Sequence, residues 1–201
     1  QKVGKSLVVI PYWLADTTFE DRKPVILDPG LTFGTGAHPS TQMVMEQMEA
    51  LPLTGARCLD LGSGSGILSI VALRLGAKQA IGVDIDPKAE DIARENAAYN
   101  GFEDSVFTAV TGNVLGDRQL MAQLSKNRYD LVLVNIVADV IIALAPVLKN
   151  FLNEKSVLLL SGILDTRLSQ VVQALNNAGI TVEQICQKEE WRCIRGRRTE
   201  K

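Results

Sequence analysis

Short runs of β-branched and other apolar residues alternate along this chain with longer segments in which apolar residues recur every three or four positions. The short runs predict β-strands, and the longer segments predict helices with one buried face. The strands predicted in the middle of the chain are residues 57–61, 80–84, 105–111, 129–135 and 156–161. Strands that alternate with helices in this way are typical of a parallel sheet with helices on both faces.

The two ends of the chain depart from this alternation. Residues 180–186 and 191–195 have strand-like sequences, and the short connection between them suits an antiparallel hairpin but not a helical crossover. Near the start, residues 7–13 and 25–28 predict another strand pair, followed by a helix from about 39 to 50. The predicted fold is therefore α/β: a doubly wound, mostly parallel seven-stranded sheet with an antiparallel C-terminal hairpin, preceded by a short N-terminal β segment.

The composition narrows the class of protein. With 201 residues, of which 46% are hydrophobic and 22% charged, the chain has the size and composition of one soluble globular domain. A net charge of −2 provides no overall basic field that would attract nucleic acid or an anionic membrane. The three cysteines form no CxxC pair, so the sequence indicates neither a metal site nor a disulfide framework. We expect a cytoplasmic protein without a membrane span and, because the chain starts with Gln1 rather than Met, a fragment of a longer one.

The most informative local pattern is residues 58–66, CLDLGSGSG, in which a predicted strand runs into three alternate glycines and then a helix. Glycine permits a tight turn, lets a ligand approach the backbone closely, and leaves N–H groups at the helix start facing that ligand. Asp84 follows Gly62 by 22 residues and ends the next predicted strand, where a carboxylate can accept hydrogen bonds from both ribose hydroxyls. The pattern favours a cofactor that contains a nucleoside, and a glycine turn of purely structural role stays open as the alternative.

The spacing of the glycines distinguishes between cofactors. A dinucleotide-binding turn has the pattern GxGxxG, whereas this turn is GxGxG and Ile67 stands at the position of the last glycine. NAD or FAD is therefore the less favoured alternative, and S-adenosylmethionine, which carries no phosphate, is favoured. Asn113, after the strand predicted at 105–111, offers a side-chain amide for an adenine edge; the alternative is that it only caps the local backbone.

Several motifs resemble those of one protein family. They are residues 27–41 (LDPGLTFGTGAHPST), the glycine turn, 83–87 (VDIDP), 135–138 (NIVA) and 161–164 (SGIL). With these motifs the chain resembles the ribosomal protein L11 methyltransferases over about residues 25–198. The glycine turn and Asp84 are common to seven-stranded adenosylmethionine-dependent methyltransferases, whereas the FGTG-x-HP-x-T segment and the Asn-Ile-x-Ala run are much more specific.

The resemblance implies roles for individual residues. Asn135, at the end of the strand predicted at 129–135, is implied to be the catalytic residue beside the transferred methyl group. The predicted cofactor-binding residues are Phe33, Thr41, Asp60, Gly62, Gly64, Asp84, Asn113 and Asn135. Structural alternatives stay open: a core plug for Phe33, a helix-start threonine for Thr41, and for Asn135 a buried amide that only satisfies the backbone. The sole histidine, His38, is interpreted as a helix N-cap, and no metal ligand is predicted.

By this resemblance we expect an S-adenosylmethionine-dependent methyltransferase that acts on protein amino groups, with ribosomal protein L11 as its partner. Another protein, RNA or a small amine stays open as the acceptor, and a NAD-dependent oxidoreductase or a non-catalytic cofactor-binding module is less favoured. The expected organisation is an N-terminal β segment and cofactor-covering loop at 1–38 and the methyltransferase domain at 39–201. We expect the family's N-terminal recognition domain to be absent, and the sequence indicates no dedicated base.

Overall fold

The structure is a computed structural model that describes residues 1–19, 21–30 and 36–201. The strands of the described part are β1 (Lys2–Val3), β2 (Leu7–Pro11), β3 (Lys23–Leu27), β4 (Arg57–Leu61), β5 (Gln79–Asp84), β6 (Phe107–Thr111), β7 (Tyr129–Asn135), β8 (Leu152–Leu164), β9 (Ile180–Lys188) and β10 (Trp191–Arg198). The α-helices are α1 (Pro39–Glu49), α2 (Ile67–Arg74), α3 (Pro87–Tyr99), α4 (Arg118–Leu124), α5 (Ala138–Leu148) and α6 (Leu168–Asn177). The first three strands form a small sheet, and the other seven form a large one.

The large sheet has the strand order β6-β5-β4-β7-β8-β10-β9. Strands β4 to β8 are mutually parallel, and β10 runs antiparallel between β8 and β9. The predicted fold class, including the C-terminal hairpin, is therefore confirmed. The chain builds outward from β4 to β6 and then returns to place β7 on the other side of β4, so the strand order reverses between β4 and β7. Ligands of open α/β sheets bind at the carboxyl edge beside such a reversal.

Helices cover both faces of the large sheet, as parallel strands with almost wholly apolar sequences require. α1, α2 and α3 bury their apolar residues on one face, and α4, α5 and α6 bury theirs on the other. The small sheet packs on the first group, since Val25 and Leu27 of β3 share a hydrophobic core with Met45 and Ile70. The division of the chain at residue 38 stays a prediction.

Three details separate the observed elements from the predicted ones. β2 ends at Pro11 rather than at residue 13, because the next residues form a 3₁₀ turn, Tyr12–Leu14. β8 extends well beyond the predicted 156–161, because Leu152 pairs with Tyr129 at one end and Leu164 pairs with β10 at the other. The sequence pattern does not predict α4, whose seven residues bury only two side chains. Asp86 caps the start of α3, where its side chain accepts a hydrogen bond from the Lys88 N–H.

Candidate functional site

The glycine turn between β4 and α2 lies at the carboxyl edge of the sheet, next to the reversal of strand order. Gly62, Gly64 and Gly66 have φ values of 77°, 51° and 80°, in the left-handed region that glycine adopts without strain. A Cβ atom on Gly62 would lie 2.4 Å from Cγ2 of Ile136, so close approach also requires glycine there. The carbonyl of Val83 in β5 accepts hydrogen bonds from the N–H groups of Gly62 and Ser63, which fixes the turn on the neighbouring strand.

Two cavities open on either side of this turn. The first, here called the α1 cavity, has a volume of about 380 Å³. Its polar lining includes Thr41, Asp60, Gly64 and Asn135. The second, here called the β5 cavity, has a volume of about 350 Å³. Asp84, Ile85, Asn113 and Leu115 contribute to its lining. Gly62, Ile136 and Val137 line both, so the two cavities meet over the glycine turn.

Thr41 and Asn135 meet in the α1 cavity although they are 94 residues apart in the sequence. The Asn135 Nδ2 donates a hydrogen bond to the Thr41 Oγ1 over 3.0 Å. The N–H groups of Ser40 and Thr41 are already satisfied by the ring and the carbonyl of His38. The hydroxyl hydrogen of Thr41 and the Oδ1 of Asn135 have no hydrogen-bond partner among residues 1–19, 21–30 and 36–201. These two groups therefore face the cavity with a donor and an acceptor to offer.

The carboxylate of Asp84 lies at the mouth of the β5 cavity. Its Oδ2 accepts a hydrogen bond from the Gly64 N–H over 2.9 Å, and its Oδ1 accepts one from the Asp86 N–H over 2.9 Å. These bonds fix the plane of the carboxylate relative to the glycine turn. An ionised carboxylate offers about four acceptor positions, so each oxygen can accept a further hydrogen bond from a ligand hydroxyl.

Asp60 is a buried carboxyl in the α1 cavity, 1% exposed. The Ser69 hydroxyl donates a hydrogen bond to its Oδ2 over 2.8 Å. Burial raises the pKa of Asp60 to about 7, because desolvation disfavours the charged form; the hydrogen bonds from Ser69 oppose this, and the charge of Asp84 adds to it. Near neutral pH the cavity therefore has a carboxyl whose charge responds to a bound cation.

Asn113 has the local contact that was one of its two predicted interpretations. Its Oδ1 accepts a hydrogen bond from the Leu115 N–H over 3.1 Å, as in a turn closed by an asparagine side chain. The same residue lines the β5 cavity. Its position is therefore compatible with both interpretations, and adenine binding stays a prediction. Phe33 lies outside the described residues.

The cavities also contain residues that sequence reasoning missed. Trp191, at the start of β10, lines the α1 cavity and packs edge to face on His38 at 4.6 Å between ring centroids. The His38 ring accepts a hydrogen bond from the Ser40 N–H, which confirms its interpretation as the N-cap of α1. Ile85 and Val137 are 73% and 63% exposed beside the β5 cavity. Large apolar residues within two positions of a strand end, outside any helical stripe, were the available signal for these two positions.

The comparisons with known proteins assign the chain to a family. The family model for ribosomal protein L11 methyltransferases (PrmA) matches residues 1–199. The chain belongs to this family. Within the described residues, no group of three or more His, Cys, Asp or Glu side chains is arranged to hold a metal ion. Across the same residues, no helix has the length and apolar content needed to span a membrane.

Individual relatives give the extent of the similarity. The ribosomal protein L11 methyltransferase of Heliobacterium modesticaldum is 39% identical over 98% of this chain, which spans 60% of that relative's length. The crystal structure of a ribosomal protein L11 methylase from Lactobacillus delbrueckii subsp. bulgaricus superposes with a TM-score of 0.87 at 31% identity, covering 99% of this chain and 98% of that one. A methyltransferase structure complexed with SAH shares the fold, with a TM-score of 0.68 at 14% identity over 80% of this chain and 50% of that one.

Proposed function

We propose that this chain binds S-adenosylmethionine across the two cavities and transfers its methyl group to an amino group of a protein. The observation that carries the proposal is the meeting of the cavities over Gly62, with Asp84 on one side and the Thr41–Asn135 pair on the other. A nucleoside and an amino acid joined at one sulfur need two such compartments separated by a narrow passage. The absence of a side chain at Gly62 leaves room for that passage.

The lining of each cavity matches one part of this cofactor. In the β5 cavity, Asp84 would accept hydrogen bonds from the ribose hydroxyls, and Ile85, Leu115 and the amide of Asn113 would surround adenine. In the α1 cavity, Thr41 would donate to the carboxylate of the methionine end, and Asp60 would face its ammonium group. We also propose that Phe33, in the predicted covering loop, contacts this end. Neither cavity has an Arg or Lys among its described lining residues, which favours a cofactor without phosphate over a dinucleotide.

Methyl transfer from this cofactor requires little acid or base catalysis by the protein. The bound cofactor supplies a methyl group on a sulfonium, which is already an activated leaving group. Asn135 would accept a hydrogen bond from the acceptor amine through Oδ1 and hold the nitrogen lone pair toward the methyl group. Its Nδ2 is held by Thr41, so the orientation of the amide is set before the substrate arrives. The apolar Trp191, Ile136 and Val137 would exclude water around the reacting atoms.

The proposed acceptor comes from the relatives. They are named for methylation of ribosomal protein L11, and this chain spans about 60% of the length of such a relative. We therefore propose lysine side chains or the N-terminal amine of ribosomal protein L11 as acceptors, with the rest of the full-length protein contributing recognition. A ribosomal substrate would place the protein in the cytoplasm.

The cofactor proposal is tested by calorimetry with S-adenosylhomocysteine and the variant Asp84→Ala. The parent chain should bind saturably, and Asp84→Ala should weaken binding about 100-fold, because two charge-assisted hydrogen bonds are lost. Asp86→Ala is the matched control, since it removes an exposed carboxylate two residues away that caps α3. Its affinity should stay within about threefold of the parent. Binding of NADH in place of S-adenosylhomocysteine would support an oxidoreductase instead.

The acceptor proposal is tested by transfer of a labelled methyl group to ribosomal protein L11, with the chain joined to any native N-terminal extension. Label should appear on lysine or on the N-terminal amine. Labelling of RNA or of a different protein would replace the acceptor while retaining the enzyme class. Cofactor binding without transfer to any of them would favour a non-catalytic binding module.

A further inference from the structure

Two buried asparagines lie four residues apart, Asn96 in helix α3 and Asn100 as the C-cap directly after it, and they are 0% and 8% exposed. Both hydrogen-bond to backbone at the outer edge of the small sheet. Asn100 accepts from the Ile26 N–H over 2.9 Å and donates to the Ile26 carbonyl over 2.7 Å. Asn96 accepts from the Asp28 N–H over 2.9 Å, directly after β3. The two amides thus satisfy an edge strand that would otherwise bury unpaired polar groups.

Asn96 makes one contact that Asn100 does not. Its Nδ2 donates a hydrogen bond to the Ser65 carbonyl in the glycine turn over 2.8 Å. The Gly66 N–H, on the opposite side of the same peptide group, donates to the Ser63 carbonyl over 2.8 Å. The Ser65–Gly66 peptide is therefore held from both sides, and its rotation is blocked.

The packing of α3 on this peptide is close. A Cβ atom on Gly66 would lie 3.1 Å from the Cβ of Ala93, which is three residues before Asn96 and on the same face of the helix. The turn is thus supported by β5 through Val83 and Asp84, and by α3 through Ala93 and Asn96. Asn96 is absent from the described lining of both cavities, so it would act through the turn and not by contact with a ligand.

We infer that Asn96 is a positioning residue of the cofactor site, an inference that rests on the proposed function. Its amide holds the glycine turn at a fixed distance from the end of β3, and so keeps the Gly64 N–H on Asp84 and the passage over Gly62 in register with the α1 cavity. Without the donor, the Ser65 carbonyl loses the hydrogen bond from Asn96, and α3 no longer fixes the orientation of this peptide through that bond. The two cavities would then remain, while their relative position would vary.

The test compares Asn96→Ala with the matched control Asn100→Ala, which removes amide bonds to the same sheet from the C-cap of the same helix. Urea unfolding should show that both variants are less stable than the parent. The dissociation constant for S-adenosylhomocysteine should rise roughly tenfold or more for Asn96→Ala and less than about threefold for Asn100→Ala. Equal changes in affinity for the two folded variants would overturn the inference, because a merely structural role predicts no difference. If the parent chain itself fails to bind, the proposed function fails instead.

Asn96→Asp is a second variant, which tests the positioning role of Asn96 if Asn96→Ala does not fold. The introduced carboxyl keeps an oxygen for the Asp28 N–H and, when protonated, has an O–H that can donate to the Ser65 carbonyl. The ratio of its dissociation constant to that of the parent should therefore fall toward one between about pH 8 and about pH 5.5. The ratio removes the effects of groups that both proteins share, including Asp28, Asp60, Asp84 and Arg74. A ratio that does not change with pH while the variant is folded would contradict the inference.

Discussion

The two cavities of the site are assembled in different ways. The β5 cavity is lined mainly by consecutive pieces of chain, the ends of β4, β5 and β6 and the turns that follow them. The α1 cavity draws its lining from α1, β4, β7 and β10, which include residues as far apart as Thr41 and Trp191. Asp84 in the β5 cavity is held by backbone N–H groups 2 and 20 residues away in the sequence, whereas Asn135 in the α1 cavity is held by the side chain of Thr41, 94 residues away.

This difference indicates how the two halves of the site divide their work. The nucleoside site proposed for the β5 cavity depends on one turn and one acid, which any chain with the same pattern can build. The α1 cavity depends on the packing of α1 against the sheet, where the Ser161 hydroxyl donates a hydrogen bond to the Ser40 carbonyl. The arrangement of its lining residues therefore depends on the tertiary structure.

Gly62→Ala should have the largest effect, because it adds a side chain at the residue over which the two cavities meet. The new Cβ would lie 2.4 Å from Ile136, so the isoleucine side chain must move into a cavity. We expect S-adenosylhomocysteine binding to fall by about 100-fold or more and stability to fall by about 1–3 kcal/mol. Calorimetry and urea unfolding measure the two effects.

Gly101→Ala is the matched control for backbone strain. Gly101 has a φ of 78°, close to the 77° of Gly62, and a Cβ there would have no neighbour within 4 Å. Gly101→Ala should lower the free energy of unfolding by about 1 kcal/mol and leave the affinity for S-adenosylhomocysteine unchanged. Equal loss of affinity in both variants would show that strain, and not the passage over Gly62, explains the effect.

Asn135→Ala should separate transfer from binding. We expect methyl transfer to fall by about 100-fold, because the amine loses the acceptor that orients it, while cofactor affinity falls by less than about fivefold. Single-turnover transfer with labelled cofactor measures the first quantity, and calorimetry measures the second. A parallel loss in both would make Asn135 a cofactor ligand only.

Asp60→Asn tests the buried charge of the α1 cavity through pH. The pKa of Asp60 is raised by burial from 3.8 to about 7, so the folded protein binds more protons than the unfolded chain between those values. The free energy of unfolding should therefore fall as the pH rises from about 4 to about 7, by at most about 4 kcal/mol from this group. Asp60→Asn removes that slope and still accepts the hydrogen bond from Ser69.

Urea unfolding across this pH range measures the difference between Asp60→Asn and the parent. The variant should gain in relative stability up to about pH 7 and show a constant difference above it. Asp86→Asn serves as the control at an exposed carboxyl. Parallel curves for the parent and Asp60→Asn would contradict the raised pKa.

Asn113→Ala should have the smallest effect of these substitutions. It allows the side-chain amide of Asn113 in the β5 cavity to be compared with that of Asn135 in the α1 cavity. It removes the hydrogen bond to the Leu115 N–H, which contributes about 0.5–1.5 kcal/mol to stability. Affinity for S-adenosylhomocysteine should fall by about three- to tenfold, because the amide also loses its proposed contact with adenine, and transfer at saturating cofactor should be unchanged. An unchanged affinity would leave this amide only its local contact with Leu115.

Much of the β5 cavity could be predicted from the sequence because its determinants are close together along the chain. The alternate glycines, the apolar strand before them and the acid at the end of the next strand specify β4, the turn and β5 through local backbone preferences. The caps at His38 and Asp86 are local in the same way, since each side chain accepts a hydrogen bond from an N–H two residues ahead. The sequence by itself therefore determined the fold class, most helix and strand positions and the place of Asp84 beside the glycine turn.

Only the tertiary structure decided which distant residues meet. The hydrogen bond between Asn135 and Thr41 joins residues 94 positions apart, and the one between Asn96 and Ser65 joins residues 31 positions apart. Trp191, near the end of the chain, lines the same cavity as Thr41. β8 is longer than its own sequence predicts because its partners β7 and β10 extend it. Local preferences act over a few residues, whereas these contacts form only after burial of the apolar faces has set the strand order and the helix positions. The strand order and the helix positions together place the α1 cavity beside the glycine turn.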